Sequence, residues 1–192
     1  MAYDPMFIQI VLYLGTALWL GLPAWFANGM PLIFGGGTPI DLGKKFRDGR
    51  RILGDGKTIR GFIAGIVSGM IVTYIQILFI PQTLNLIQEY TILTPDVFEI
   101  INTDLLRGFL LSFGALFGDL FGSFIKRRRG LERGEMFLGM DQIGFIIFAI
   151  LFALPVIRPN IIFVILLISI SFIAHILANV ISFLIGLKNV PH

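Results

Sequence analysis

Cysteine is absent from this chain of 192 residues, and charged residues make up only 14% of it. The lack of cysteine excludes disulfide bonds and thiolate chemistry. The scarcity of charge accompanies a hydrophobic content of 56% and a mean hydropathy of +0.87, both well above those of a soluble globular domain. Composition therefore predicts a membrane-embedded protein and gives no indication of a nucleic-acid partner.

Five stretches with few or no charges predict an all-α integral membrane protein with five transmembrane helices. A span needs about 20 apolar residues. The N-terminal stretch lacks the basic start and the cleavage site of a signal peptide, so we expect it to be the first span. The fourth stretch is short, and we expect it either to tilt less or to be partly shielded by its neighbours. All five belong to a single transmembrane catalytic domain, 1–192, with spans expected at about 6–28, 61–88 (ending near Pro81), 105–125, 141–156 and 159–187.

Basic residues are concentrated on one side of this topology. Thirteen of the fifteen Lys and Arg lie in two loops, at about 29–60 and 126–140, and in the C-terminal tail. Loops rich in Lys and Arg remain in the cytoplasm. The sequence therefore predicts a multi-pass protein of the cell membrane with its N-terminus outside and its C-terminus in the cytoplasm. We expect the active site to lie between the two basic loops, at the cytoplasmic face.

A carboxylate interrupts the third span. Asp119 lies within the apolar run 108–125, directly before the basic cluster that begins at Lys126. A charge inside a membrane costs about 2.5–3.5 kcal/mol or more, so it marks a functional site by default. Ser112, Asp119 and Lys126 are spaced seven apart and Ser123 follows Asp119 by four, which places all four on one helix face. We expect Asp119 and Lys126 to be catalytic. The alternative role for Asp119 is that of a structural partner for a buried cation.

Glycines at 114, 118 and 122 repeat every four residues along the same span. Small residues at this spacing let another helix backbone approach closely. The pattern predicts close helix packing, and it is compatible with a homo-oligomer as well as with packing inside one chain.

A second carboxylate, Asp141, opens the fourth span, whose first turn must lie near the end of the third. Two carboxylates at the base of a basic site indicate a hard divalent cation, and Mg²⁺ commonly takes one or two carboxylates plus substrate phosphates. We expect Asp119 and Asp141 to bind it. A helix N-cap is the alternative role for Asp141. Asn179 lies on a polar stripe of the fifth span. We expect it to contact the ligands of this metal site rather than the metal itself.

The first basic loop is rich in glycine. Backbone N–H groups and Lys or Arg side chains in such a loop can surround phosphate oxygens. It is not a P-loop, because Arg51 stands where that motif needs glycine. A loop that only sets membrane orientation is the alternative. The residues expected to bind phosphates are Lys44, Arg50, Arg51, Gly54, Asp55, Gly56, Lys57 and Thr58, together with Ser123, Lys126 and Arg127 of the third span.

Two sets of motifs resemble known lipid enzymes. Gly118-Asp119-Leu-Phe-Gly-Ser123-Phe-Ile-Lys126-Arg127 resembles the G-D-x-x-x-S-x-x-K-R core of the phosphatidate cytidylyltransferases. The chain departs from their longer signature, with Glu132-Arg133 in place of Lys-Asp and a reduced segment at 137–142. The segments 36–41, 48–51 and 54–58 resemble the CDP-archaeol synthase family, and that resemblance covers most of the chain.

This resemblance implies an enzyme that transfers the cytidylyl group of CTP to an unsaturated isoprenoid glycerol-phosphate lipid. The products would be CDP-archaeol and pyrophosphate, with Mg²⁺ as the cofactor. It also implies that Lys126 and Arg127 bind either the lipid phosphate or the CTP phosphates.

Two other classes of protein are considered. A CDP-alcohol phosphotransferase also uses acids and a metal, but its D-G-x-x-A-R pattern is missing after Asp48-Gly49. A small transporter would favour inverted repeats and broken helices at mid-membrane. Neither feature is evident in the sequence.

Overall fold

The computed structural model describes residues 4–132, 135, 137 and 139–184, apart from the side chains of 178, 179 and 181–184. The fold is helical, and this described part contains two isolated antiparallel bridges but no longer strand. The helices are α1 (Pro5–Phe34), α2 (Ile59–Tyr90), α3 (Pro95–Ile101), α4 (Leu105–Arg128), α5 (Met140–Ala153) and α6 (Ile161–Leu184).

Three helices are long and apolar enough to cross a membrane, namely α1, α2 and α4. The α5 helix has 14 residues, so it extends for only about 21 Å at 1.5 Å per residue. The described apolar part of α6 runs from Ile161 to Leu177. Each of these five helices overlaps one of the five predicted spans, and three of them are long enough to cross a membrane. The short α3 was not predicted, and it lies in the loop between the second and third spans.

The first two helices are longer than expected. We predicted that the first would end near Asn28 and the second near Pro81, but α1 continues through Pro31 to Phe34 and α2 continues through Pro81 to Tyr90. Proline removes one backbone hydrogen bond and crowds the preceding turn. Membrane helices tolerate this loss because neighbouring groups and local adjustments satisfy the freed carbonyl.

Glycines bring α4 into close contact with its neighbours, as the four-residue repeat predicted. A Cβ atom at Gly114 would lie 2.6 Å from the Phe148 carbonyl oxygen, and one at Gly118 would lie 2.9 Å from the Gly144 carbonyl oxygen. A Cβ at Gly65 of α2 would lie 2.5 Å from the Ala27 carbonyl oxygen of α1. The helix backbones at these points are therefore too close for any side chain larger than hydrogen.

A buried arginine joins α3 to α4 at one end of the bundle. Arg107 is 6% exposed, and its Nη1 donates to the carbonyl oxygens of Glu99 at 2.6 Å and Ile100 at 3.3 Å. Those carbonyls belong to the last turn of α3, where helix ends leave acceptors free.

At the other end of the bundle, α1 and α4 end and α2 and α5 begin. We call this the basic end, because both basic loops meet there.

Candidate active site

The first basic loop is an ordered structure rather than a loose connection. Ile40 N–H donates to the Lys57 carbonyl oxygen at 2.8 Å, and Phe46 N–H donates to the Arg50 carbonyl oxygen at 2.8 Å. These bonds close two antiparallel bridges, one between Pro39 and Thr58 and one between Lys45 and Arg51. The loop therefore folds back on itself twice before α2 begins.

A buried carboxylate organises this loop. Asp41 accepts both Nη2 and Nε of Arg51, at 2.7 and 3.2 Å, and it also accepts the N–H groups of Leu53, Gly54 and Gly43 at 3.0 to 3.2 Å. Burial alone would raise the pKa of Asp41, but the hydrogen bonds from Arg51 and the backbone outweigh it and hold that pKa well below its ordinary value. Asp41 therefore remains ionised and fixes the loop around itself.

The end of the loop positions Lys57. Thr58 is the N-cap of α2, and its Oγ1 accepts the Gly61 N–H at 3.1 Å. Thr58 is buried against the helix that it caps. Lys57, the residue before the cap, is therefore held at the start of α2 and points toward α4.

The second basic loop is bound to the first. Arg128 donates to Asp48 at 2.7 Å, and its guanidinium lies 4.7 Å from the centre of the Phe46 ring. Arg127 also donates from the second loop to the first, to the Leu53 carbonyl oxygen at 3.3 Å. In the other direction, Arg50 donates to the Arg128 carbonyl oxygen at 3.1 Å. These contacts confirm the prediction that the two loops lie on the same side of the bundle.

Two lysine–carboxylate pairs lie beneath the joined loops. Lys57 Nζ is 2.5 Å from Asp119 Oδ2, and Lys126 Nζ is 2.5 Å from Asp141 Oδ2. Lys126 also donates to the Glu135 carbonyl oxygen at 2.8 Å. The side chains of all four pair members remain 16–32% exposed. In both pairs the lysine and the carboxylate are distant in sequence, so they come into contact only when the chain folds.

The two carboxylates line one small cavity of about 20 Å³. Helix α4 contributes Asp119, α5 contributes Asp141, and α1 contributes Asn28. The remaining lining residues are Gly118, Gly122, Met140 and Phe145. Asn28 was not predicted as a site residue, although an amide near the end of an apolar helix is a sequence signal that could have identified it.

Asp141 is not the N-cap of α5. The cap is Gly139, whose N–H donates to the Gln142 side chain at 2.6 Å, and Asp141 is the second residue of the helix. Asp141 instead accepts the Phe137 N–H at 3.0 Å and the Lys126 ammonium. Its second carboxylate oxygen is therefore available to the cavity.

The predicted phosphate-binding residues divide into two groups. Arg50, Arg51 and Arg127 hold the loops together through backbone and Asp41 contacts. Arg51 also pairs with Asp55 at 2.7 Å. Lys57 and Lys126 instead face the two carboxylates of the cavity.

The other predicted residues that the structure describes do not line the cavity. Lys44 and Gly56 are exposed, and Ser123 is buried on α4. Gly54 has a φ of +96°, which favours glycine, and a Cβ there would meet the Arg127 guanidinium at 3.3 Å. The backbone of Asn179 belongs to α6, but its side chain lies outside the described residues.

The donor set fits a hard divalent cation. No group of three or more His, Cys, Asp and Glu side chains occurs in the described ranges. The cavity nevertheless combines two carboxylates with one amide, and oxygen donors of this kind suit Mg²⁺ when substrate phosphates complete the shell. Its volume of about 20 Å³ exceeds the roughly 10–15 Å³ that a single water needs.

The described part of the chain is an apolar helical bundle whose joined basic loops lie next to two paired carboxylates, an arrangement that suits an enzyme embedded in a membrane. A solved structure of an intramembrane enzyme for archaeal membrane lipids biosynthesis is similar to this chain, with a TM-score of 0.68 and 32% sequence identity. The similarity covers 85% of this chain and 92% of that one.

The sequence comparisons define the class more narrowly. Residues 7–192 match the family model described as CarS-like: CDP-archaeol synthase. The CDP-archaeol synthase of Thermococcus kodakarensis is 46% identical over 91% of this chain and 94% of its own length. That of Methanococcus maripaludis is 41% identical over 95% of this chain and 99% of its own length. The chain belongs to the CDP-archaeol synthase family, and it is accordingly a nucleotidyltransferase of lipid biosynthesis.

Proposed function

We propose that this protein transfers the cytidylyl group of CTP to an unsaturated isoprenoid glycerol-phosphate lipid, and that the reaction takes place at the cavity between Asp119 and Asp141. Family membership supports the reaction. The observation that supports the place is the pair of lysine–carboxylate contacts around one cavity at the basic end. The products are the CDP-lipid and pyrophosphate.

The chemistry needs little from a general base. A phosphate monoester is already anionic at neutral pH, so its oxygen can attack the α-phosphorus of CTP directly. The P–O bond to the β-phosphate breaks as the new P–O bond forms, and pyrophosphate leaves in line with the attack. The protein must therefore align two polyanions and neutralise their charge.

Asp119 and Asp141 are the residues that would hold a divalent cation. A bound Mg²⁺ supplies charge neutralisation on the α-phosphate and on the leaving pyrophosphate. Lys57 and Lys126 now neutralise the two carboxylates. A lysine is a flexible point charge, so each ammonium can exchange its carboxylate for a phosphate oxygen when substrate binds. The lysines thereby stabilise the site both before and after substrate enters.

Phosphate binding is assigned to two sets of groups. The Gly54 N–H already donates to Asp41, whereas Gly56 is exposed, and its N–H group suits phosphate oxygens. Lys44 adds an exposed positive charge in the same loop. Arg50, Arg51 and Arg127 contribute positive potential while they hold the loops.

The basic end is proposed to face the cytoplasm, with α1, α2, α4, α5 and α6 as five membrane-spanning helices. The concentration of Lys and Arg in the two loops supports this orientation. Because the chain has no cysteine, single cysteines can report it directly. Arg47→Cys in the first loop and Glu89→Cys at the opposite end of α2 are both exposed positions. In intact cells, an impermeant maleimide should label only Glu89→Cys, and labelling of Arg47→Cys would reverse the orientation.

The reaction is tested with purified protein in detergent. The protein is incubated with Mg²⁺, a lipid monophosphate and each nucleoside triphosphate in turn, and pyrophosphate release is measured. Release with CTP that depends on lipid and metal is the expected result. An isoprenoid ether-lipid phosphate should be a better substrate than a diacyl phosphatidate. The proposal is wrong if no triphosphate yields pyrophosphate with the ether-lipid phosphate.

A further inference from the structure

Asn28 is a polar residue of the cavity for which the reaction has so far provided no role. It lies on α1, six residues before the helix ends at Phe34, and it lines the same cavity as Asp119 and Asp141. Within the part of the chain that the structure describes, its side chain has no hydrogen bond to another protein group. An amide in an apolar helix near the membrane is costly unless it is satisfied.

The position of Asn28 is fixed by the packing of its neighbour. Ala27 is fully buried, and its carbonyl oxygen lies where a Cβ at Gly65 would be only 2.5 Å away. The α1 backbone is therefore pressed against α2 at this turn. Because the helix cannot rotate there without a clash, the Asn28 amide stays at the wall of the cavity.

The charges around the cavity favour a neutral oxygen at this wall. All contacts that the described residues make with the Asp119 and Asp141 carboxylates are to Oδ2, so each acid keeps its Oδ1 for a cation in the cavity. Each carboxylate already has a lysine donor at 2.5 Å, so the amide N–H group is not needed to neutralise either of them. Amide carbonyl oxygens are ordinary ligands of hard cations, and the number of charged ligands tunes the affinity. A neutral third ligand adds coordination without binding the ion too tightly.

We infer that Asn28 supplies an uncharged oxygen ligand to the divalent cation held by Asp119 and Asp141. This inference rests on the proposed metal site. It assigns to α1 a direct part in the reaction centre, so that three helices rather than two converge on the ion. Loss of the amide should weaken metal binding even when no nucleotide is present, and a role in binding phosphate would not have that effect.

The test measures the affinity of the purified protein for Mn²⁺ in the absence of nucleotide, from the electron paramagnetic resonance signal of free Mn²⁺. Asn28→Ala should weaken binding about 10-fold, the lower end of the range for groups that support a metal site. The matched control is Asn85→Ala, which removes an exposed amide from α2 and should leave the affinity unchanged. Unchanged affinity in Asn28→Ala would overturn the inference.

Asn28→Asp keeps the test decisive if the alanine variant fails to fold. Aspartate has nearly the same size and retains the oxygen, so it should bind Mn²⁺ more tightly than the natural protein does. Binding that is equal or weaker would overturn the inference.

Asp119→Asn is titrated alongside the Asn28 variants. If it weakens Mn²⁺ binding while Asn28→Ala does not, only the role of Asn28 is lost. If neither variant changes the affinity, the metal site itself is wrong, although the transfer of cytidylyl groups can still be measured separately.

Discussion

The basic end contains two kinds of ion pair, and they differ in how readily they can be exchanged. Asp41 is buried and receives five hydrogen bonds, two of them from the rigid guanidinium of Arg51. Asp119 and Asp141 are partly exposed, and each meets the single ammonium of a lysine beside a cavity. Arginine suits fixed bidentate contacts, whereas lysine is a mobile point charge. The arginine pair therefore maintains the loop, and the lysine pairs are available for chemistry.

The largest effect should come from a lysine-paired carboxylate. We expect Asp119→Asn to lower turnover about 1000-fold, since the isosteric amide removes the charge needed by the metal. Its thermal unfolding in detergent should remain close to that of the natural protein. Turnover is measured as pyrophosphate release with saturating CTP and lipid. Retained activity would remove the distinction between the two kinds of pair.

Asp41→Asn should lower stability and leave turnover largely unchanged, the opposite of Asp119→Asn. Hydrogen bonds to a charged group contribute about 1.5–3 kcal/mol, and the amide cannot accept all five. We expect a loss of about 2–3 kcal/mol of stability, seen as earlier thermal unfolding, with turnover per folded molecule largely kept. The exposed partner of Arg51, Asp55, serves as control, because Asp55→Asn should hardly change unfolding.

Lys57→Met should lower kcat/KM for CTP about 10- to 100-fold with little change in unfolding. The methionine keeps the length of the side chain but removes the charge that the triphosphate needs. Lys45→Met is the matched control, since the Lys45 side chain is exposed in the same loop. If both variants lose activity equally, the contact with Asp119 has no special importance.

The stability that Asp41 contributes should depend on pH in a defined way. The pKa of Asp41 is lowered in the folded protein, so its contribution is fully present above the unfolded pKa of about 3.9 and is lost as pH falls toward the folded value. The difference in unfolding temperature between the natural protein and Asp41→Asn should be constant from pH 5 to 7. Below about pH 4 it should shrink. A difference that shrinks already above pH 5 would contradict the lowered pKa.

Asp48→Asn should give the smallest effect. Its pair with Arg128 is 2.7 Å long, but the Asp48 side chain is 37% exposed. Exposed pairs contribute less than about 1 kcal/mol, and Arg128 keeps its contacts with the Phe46 ring and loop carbonyls. The measurement is again thermal unfolding. A loss of stability as large as that of Asp41→Asn would show that the exposure of an ion pair does not predict its contribution to stability.

Much of the fold could be predicted because membrane spans have a strong signal in hydropathy. The positions of α4 and α5 followed from apolar runs, and the packing of Gly114 and Gly118 followed from a simple repeat. The extensions of α1 and α2 could not be predicted in this way. Proline normally ends a helix, and only the surrounding bundle makes Pro31 and Pro81 tolerable.

The site was partly predictable for a different reason. Asp119 was identifiable because charge is rare in apolar segments, and Asp141 because it begins the next span close to the end of the third. Their pairing with lysines depends on how the two loops fold. Lys57 lies 62 residues before Asp119 in sequence, so no local spacing relates them. The organising role of Asp41 depends on backbone N–H groups, which a sequence does not reveal. Asn28 is uncharged, so its amide in an apolar helix is a weaker sequence signal than a carboxylate, and only the structure shows that it lines the same cavity.

The glycine at 118 has a consequence for the ion that the site can accept. It is adjacent to Asp119, it lines the cavity, and it meets the backbone of α5 at a distance that no other residue permits. Because Gly118 has no side chain, α4 and α5 can approach closely at this point. The distance between Asp119 and Asp141 therefore depends on Gly118 as well as on the two acids. A methyl group there would push α4 away from α5 and widen the gap between the two carboxylates, so that the cation site proposed between them would favour larger ions with the proposed ligands unchanged.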